Sequence, residues 1–178
     1  MVVRWPLMRI FTAFLGLMLL PGMLGAVDVR AAIVREAGKY ASAWQRSDAP
    51  TIVAFLPAHV VRQLGGRPAL LAQLKDQFAQ ARALGVNQLE ATFGPPSPPT
   101  RIGQWLASVL AVTAVLHRPH LNLTQQTHVL ALSADQGKRW SFLLLYEITQ
   151  ADLNTMFPEF KGKVFVPTPP EPQIKIVY

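Results

Sequence analysis

The chain changes its apolar period at Gly85, and few folds accommodate that switch. Before this glycine, apolar residues recur at steps of three and four; after it, they alternate. Over residues 28–47, Ile33, Ala37, Tyr40, Ala41 and Trp44 share one helical face, while Arg35, Glu36, Lys39 and Arg46 take the others. Ser47-Asp48 supplies an N-cap, and Pro50 lies in the first turn of a second, short helix carrying Ile52, Val53, Phe55 and Leu56. Pro57 stops it. Residues 59–64 read as a short extended or turn segment closed by Gly65-Gly66. Pro68 opens a third helix with the stripe Leu70, Leu71, Leu74, Phe78 and Ala81, and Gly85 sits where a left-handed C-cap is wanted.

In residues 88–93, Leu89, Ala91 and Phe93 alternate with polar neighbours, the mark of a half-buried strand. Residues 94–103 read as a loop holding Pro95, Pro96, Pro98 and Pro99. Residues 105–116 are almost wholly apolar. Their period does not separate helix from strand, but Val109, Val112, Thr113 and Val115 favour strand. A further strand spans 121–133. The turn Asp135-Gln136-Gly137-Lys138 leads to a return strand over 139–147, with Trp140, Phe142, Leu144 and Tyr146 on one face. Thr149 and Asp152 form a capping-box pattern for a last helical turn ended by Phe157-Pro158. Pro167, Pro169, Pro170 and Pro172 keep the tail extended, and Ile174-Lys175-Ile176 alternates as an edge strand would. Helices first and an antiparallel meander second predict an α+β domain: three N-terminal helices packed on a curved sheet of about four strands.

The first 26 residues stand apart. Arg4 and Arg9 precede the apolar run 10–20, which ends in Pro21-Gly22 and Gly25-Ala26. A basic start, a short apolar stretch and a small-residue end are the parts of a secretory signal, cleaved near residue 26. An uncleaved N-terminal anchor is the alternative, since the uncharged run to Val27 is near the short limit of a membrane span. The expected location is the periplasm or exterior, or the inner membrane if the anchor stays; membrane contact is expected only in that second case. Residues 27–178, about 150 in number, suit one domain with a Pro-rich tail from about residue 164. The chain has no cysteine, so it relies on packing and not on disulfides. The formal charge of +7 falls to +5 once Arg4 and Arg9 are removed. The remaining basic residues are scattered without the interleaved aromatic stripe of a nucleic-acid reader, so no nucleic-acid partner is expected.

Short motifs carry a family likeness. They are Ala43-Trp44 with Asp48, Leu56-Pro57 with Val60, Gly65-Gly66, Leu74-Lys75, Gly85-Val86, Gly94-Pro95-Pro96-Ser97, the hairpin from Ser133 through Gly137 to Phe142, and Phe157-Pro158-Glu159-Phe160. Over residues 30–172 the chain resembles the NTF2-like superfamily, the cystatin-like α+β cones, and within it secreted bacterial members. The resemblance implies a pocket between helices and sheet, which different members use for catalysis, for ligands or for protein contacts. The carboxylate base and paired oxyanion donors of the isomerase branch have no counterpart that can be placed here: Asp48, Asp135 and Asp152 read as caps and turn residues, Glu147 lies on a strand, and Glu90 faces water.

Few side chains suggest chemistry. His117 and His120 form H-x-x-H, but Arg118-Pro119 between them indicates a turn, and without a third ligand no metal site is expected. His59 reads as an exposed turn residue. No serine has a nucleophile-elbow context, and no phosphate loop or other cofactor motif is present. No catalytic residue is therefore assigned. The ligand-pocket candidates are Tyr40, Trp44, Trp105, His128 and Trp140: amphipathic rings, and a histidine on the phase of Leu130 and Leu132. The expected function is an exported, non-enzymatic domain binding a small apolar ligand or a protein partner, with no cofactor. The alternatives are a pocket enzyme of isomerase or dehydratase type and a membrane-anchored assembly factor. The strand over 105–116 is apolar on both phases, which predicts a homodimer, or a heteromeric contact, through this strand of the sheet.

Overall fold

A computed structural model describes residues 28–146 and 148–176. The proposed signal segment, and Glu147 as a strand residue, lie outside the described residues. Among the described residues, no helix is long and apolar enough to cross a membrane.

The predicted α+β order is present, with local chemistry marking most of its boundaries. Helix α1 (Val29–Gln45) begins where Asp28 accepts hydrogen bonds from the Arg30 and Ala31 amides. It buries Ile33, Ala37, Tyr40 and Ala41, four of the five stripe residues, and leaves Trp44 half-buried. Helix α2 (Ala49–Ala54) is capped by Asp48, which accepts from Thr51 N at 3.2 Å and from Thr51 Oγ1 at 2.7 Å.

The segment expected to be extended is instead helix α3 (Ala58–Gln63). Pro57 (φ −58°) presets its entry, and fully buried Val60 anchors it. Six residues are too few to display a helical period, so tertiary packing and not pattern decides this element. Helix α4 (Gly66–Ala83) starts before Pro68, which still falls in the first turn, where a missing N–H is tolerated. The helix ends as predicted. Gly85 adopts φ +82°, its amide donates to Arg82 O, and Val86 N donates to Ala81 O, the paired closure of a Schellman motif.

The sheet is built on one long hairpin, β3 (Trp105–Arg118) and β4 (Leu121–Ser133), turning at Pro119-His120. Two strands share the outer edge of β3: β1 (Gln88–Phe93) along its far half and β2 (Thr100–Ile102) along its start. Strand β2 departs from the expected proline loop. It follows the last proline and closes on Trp105 through the two-residue turn Gly103-Gln104, with Gly103 at φ +59°. The outer edge of β4 is shared likewise by β5 (Ser141–Leu144) and β6 (Gln173–Ile176), the latter at the predicted edge position. Four main strands form a curled antiparallel half-barrel.

Alternation divides the side chains between two cores. On the first face, Leu110, Val112, Val129, Ala131, Trp140 and Phe142 meet α1, α2 and α4. Tyr40 stacks on Phe142 at 5.3 Å and 18°, and Phe55 packs edge-on against Tyr40. On the second face, Ala107, Leu130, Leu132, Leu143 and Leu145 meet Val60 of α3, Leu153 of α5 (Gln150–Met156), and Phe157 and Phe160 beside the 3-10 turn Pro158–Phe160. The predicted capping box opens α5: Asp152 Oδ2 accepts from Thr149 N at 2.9 Å, and Thr149 Oγ1 accepts from Asp152 N at 3.1 Å. Both phases of β3 are therefore covered at its start by the chain itself, with Trp105, Val109 and Val164 in this second cluster. The return strand buries Trp140 and Phe142 as its phase predicts, whereas Tyr146 is exposed.

Candidate functional site

Residues from the C-terminal ends of α1 and α4, from the turn after α4, and from β1 and β3 line a cavity between helices and sheet. Trp44, at the end of α1, meets Phe78 of α4 edge-on, with centroids 5.8 Å apart at 79°. Below these rings, Leu89 of β1 and Leu116 of β3 close an apolar floor, and Gln77, Arg82 and Asn87 stand at the rim. The volume is about 320 Å³, at the small end of ligand pockets. This space follows from the fold. Gly85 ends α4 and β1 follows at once, so Phe78 of α4 and Leu89 of β1 line the same space.

Tyr40 and Trp140 do not line this cavity. Tyr40 is 2 % exposed, and burial pushes its hydroxyl up to about 12. Trp140 is likewise core, its Nε1 donating to Gly137 O at 3.2 Å. His128 stands on the second face opposite Ala111, half-buried. The five residues singled out from sequence thus do not converge: Trp44 lines the cavity above, Trp105 lines another, and Tyr40 and Trp140 belong to the first core.

That other cavity, about 560 Å³, lies on the second face at the opposite end of the hairpin. Helix α3 brings His59 and Arg62 to it, β3 brings Trp105, the β4–β5 turn brings Asp135 and Arg139, and the 3-10 turn brings Glu159. The His59 ring lies edge-on to Phe157 at 4.7 Å and 5.5 Å from the Trp105 ring. Its Nε2 is buried with no hydrogen-bond partner among the described residues. His59 is therefore not the exposed turn residue expected from sequence; the unpredicted helix α3 turns it inward. Reading that helix would also have placed Arg62 on the same face, three residues on.

No family model, curated protein or solved structure matches this chain. Its chemistry is read from its own side chains. Asp135 and Asp48 are hydrogen-bonded locally. Asp135 accepts from Arg139 N at 2.9 Å and from Ser133 Oγ at 2.8 Å, and these bonds, the Arg139 amide foremost, hold its carboxyl below the usual aspartate range. Asp48 is held low by the Thr51 hydroxyl first and then its amide. Both act as the turn and cap residues predicted. His117 Nδ1 lies 3.0 Å from Asn122 Oδ1, and its Nε2 is 3.4 Å from Glu90 Oε1 without hydrogen-bond geometry. His120 occupies the hairpin turn at φ +61°, exposed. Among the described residues, no three His, Asp or Glu side chains gather as metal ligands.

Proposed function

We propose that the chain is an exported NTF2-like domain that binds a small apolar ligand, without catalysis, in the cavity under Trp44 and Phe78. One observation carries this reading: an aromatic pair roofs a cavity of about 320 Å³ that opens between helices and sheet, where the resemblance implies a pocket. Apolar walls supply affinity through burial, at roughly 25 cal/mol per Å², and the rim amides of Gln77 and Asn87 supply orientation. The order of elements and the curled sheet support the family placement. The basic start and apolar run of residues 1–26 support export.

The reading also narrows where a second copy would pair. Since α5 and its flanking segments cover the start of β3, a homodimer would use the far half of the second face, where Thr92 and Gln126 are exposed and Thr113 and Val115 half-buried.

Titration of the neutral fluorophore phenylnaphthylamine tests the ligand site. The wild type is expected to bind it, and Ala81→Phe, which fills the cavity from α4, to weaken binding by about tenfold or more at an unchanged melting temperature. Equal affinity in both proteins would place the ligand elsewhere.

A further inference from the structure

The second cavity differs from the first in kind, and its composition indicates a different ligand. Its wall is aromatic: His59, Trp105 and Phe157 lie with ring centroids 4.7 to 5.7 Å apart, and Trp105 meets Phe157 edge-on at 79°. Such a wall accepts a flat, unsaturated body. Its rim carries two guanidinium groups from separate elements, Arg62 of α3 and Arg139 of the β4–β5 turn, both exposed. Among the described residues, neither is ion-paired within 4.0 Å.

Each carboxylate in the same cavity makes its bonds through one oxygen: Asp135 Oδ1 accepts from Ser133 Oγ and the Arg139 amide, and Glu159 Oε1 accepts the Trp105 indole N–H at 2.6 Å. The arginines offer planar, bidentate donors suited to a carboxylate. A third donor or acceptor, His59 Nε2, lies unpartnered at the base of the aromatic wall. A buried, unbonded polar atom is unfavourable, and a ligand oxygen reaching it would relieve that cost.

We propose that this cavity is a second binding site, specific for a planar aromatic carboxylate, with the ring against Trp105 and Phe157 and the carboxylate held by Arg62 and Arg139. The site is independent of the apolar cavity: it occupies the opposite face and the opposite end of the β3–β4 hairpin, and the two share no lining residue.

Calorimetric titration with naphthoate and with its neutral counterpart naphthamide tests the proposal. Naphthoate is expected to bind about tenfold or more tightly than naphthamide. The double substitution Arg62→Gln/Arg139→Gln is expected to abolish that difference. Both arginines are exposed, so the variant is expected to keep the wild-type melting temperature. Saturating phenylnaphthylamine is expected to leave naphthoate affinity unchanged, which separates this site from the first. Equal affinity for the two probes, absence of naphthoate binding, or a preference that survives the double substitution would each overturn the proposal. Competition between naphthoate and phenylnaphthylamine would overturn the assignment of two sites.

Discussion

Trp105 Nε1 donates to Glu159 Oε1 across 2.6 Å, joining residues 54 positions apart in the chain. The bond ties the start of β3 to the 3-10 turn, and Gly103 fits beneath it: a Cβ there would meet Glu159 Cγ at 3.5 Å. The carboxylate makes this a charge-assisted bond, stronger than a neutral pair.

Removing one end of that bond exposes its worth. Glu159→Ala is expected to lower stability by about 1–2 kcal/mol, less than a fully buried charged bond because the pair is only part-buried. A denaturation cycle with Trp105→Phe measures the coupling directly; additive effects of the two substitutions would show that the bond contributes nothing.

Trp140 is expected to behave as a large core residue. It is 5 % exposed, packs in the first core and satisfies its own N–H on Gly137 O. Trp140→Ala should cost about 3–5 kcal/mol, read as a shift in the urea midpoint. An unchanged midpoint would contradict the burial described above.

Acid should loosen the turn and the caps together. Asp135 is held below its ordinary value of 3.8 by the Arg139 amide first, and Asp48 and Asp152 are depressed by the hydroxyls of Thr51 and Thr149. A carboxyl depressed in the folded state contributes stability above its unfolded pKa and loses it as pH falls through the folded one. Stability should therefore decline as pH drops below about 4. Asp135→Asn should reduce the slope of the urea midpoint against pH in that window, and an identical slope in both proteins would remove Asp135 from the account.

The sequence reading also makes a prediction about processing. With Arg4 and Arg9 ahead of the apolar run 10–20, the exported protein should begin near Val27. N-terminal sequencing of soluble material that still carries residues 1–20 would refute it.

How much was legible depended on how local each signal was. The stripe of α1 and the alternation of β1 each repeat several times within one element, and the structure follows them closely. The capping box at Thr149 and the glycine closure at Gly85 are complete within four or five residues, so they too could be read. Helix α3 is a single short segment between Pro57 and Gly65, with no room for a period to show. Strand β2 is three residues directly after a run of prolines, and the hint is Gly103 two positions before the apolar strand. The His59 cavity draws on four separate stretches of chain, each bland alone. Its arginines and aromatic wall become a constellation only after α3 and the 3-10 turn dock on the second face of the sheet.

The hairpin turn at Gly137 also fixes where α1 begins. A Cβ built on Gly137 would lie 3.7 Å from both Val29 Cγ2 and Trp140 Cζ2, so the first residue of α1 sits directly against this turn. Asp135 and Arg139, on either side of the same turn, line the His59 cavity. Val29, at the start of α1, and these residues that line that cavity therefore meet at one hairpin turn. If residues 1–26 were retained as an anchor, this turn would be the part of the domain joined most directly to it through α1; if they were cleaved, α1 would begin as a free end.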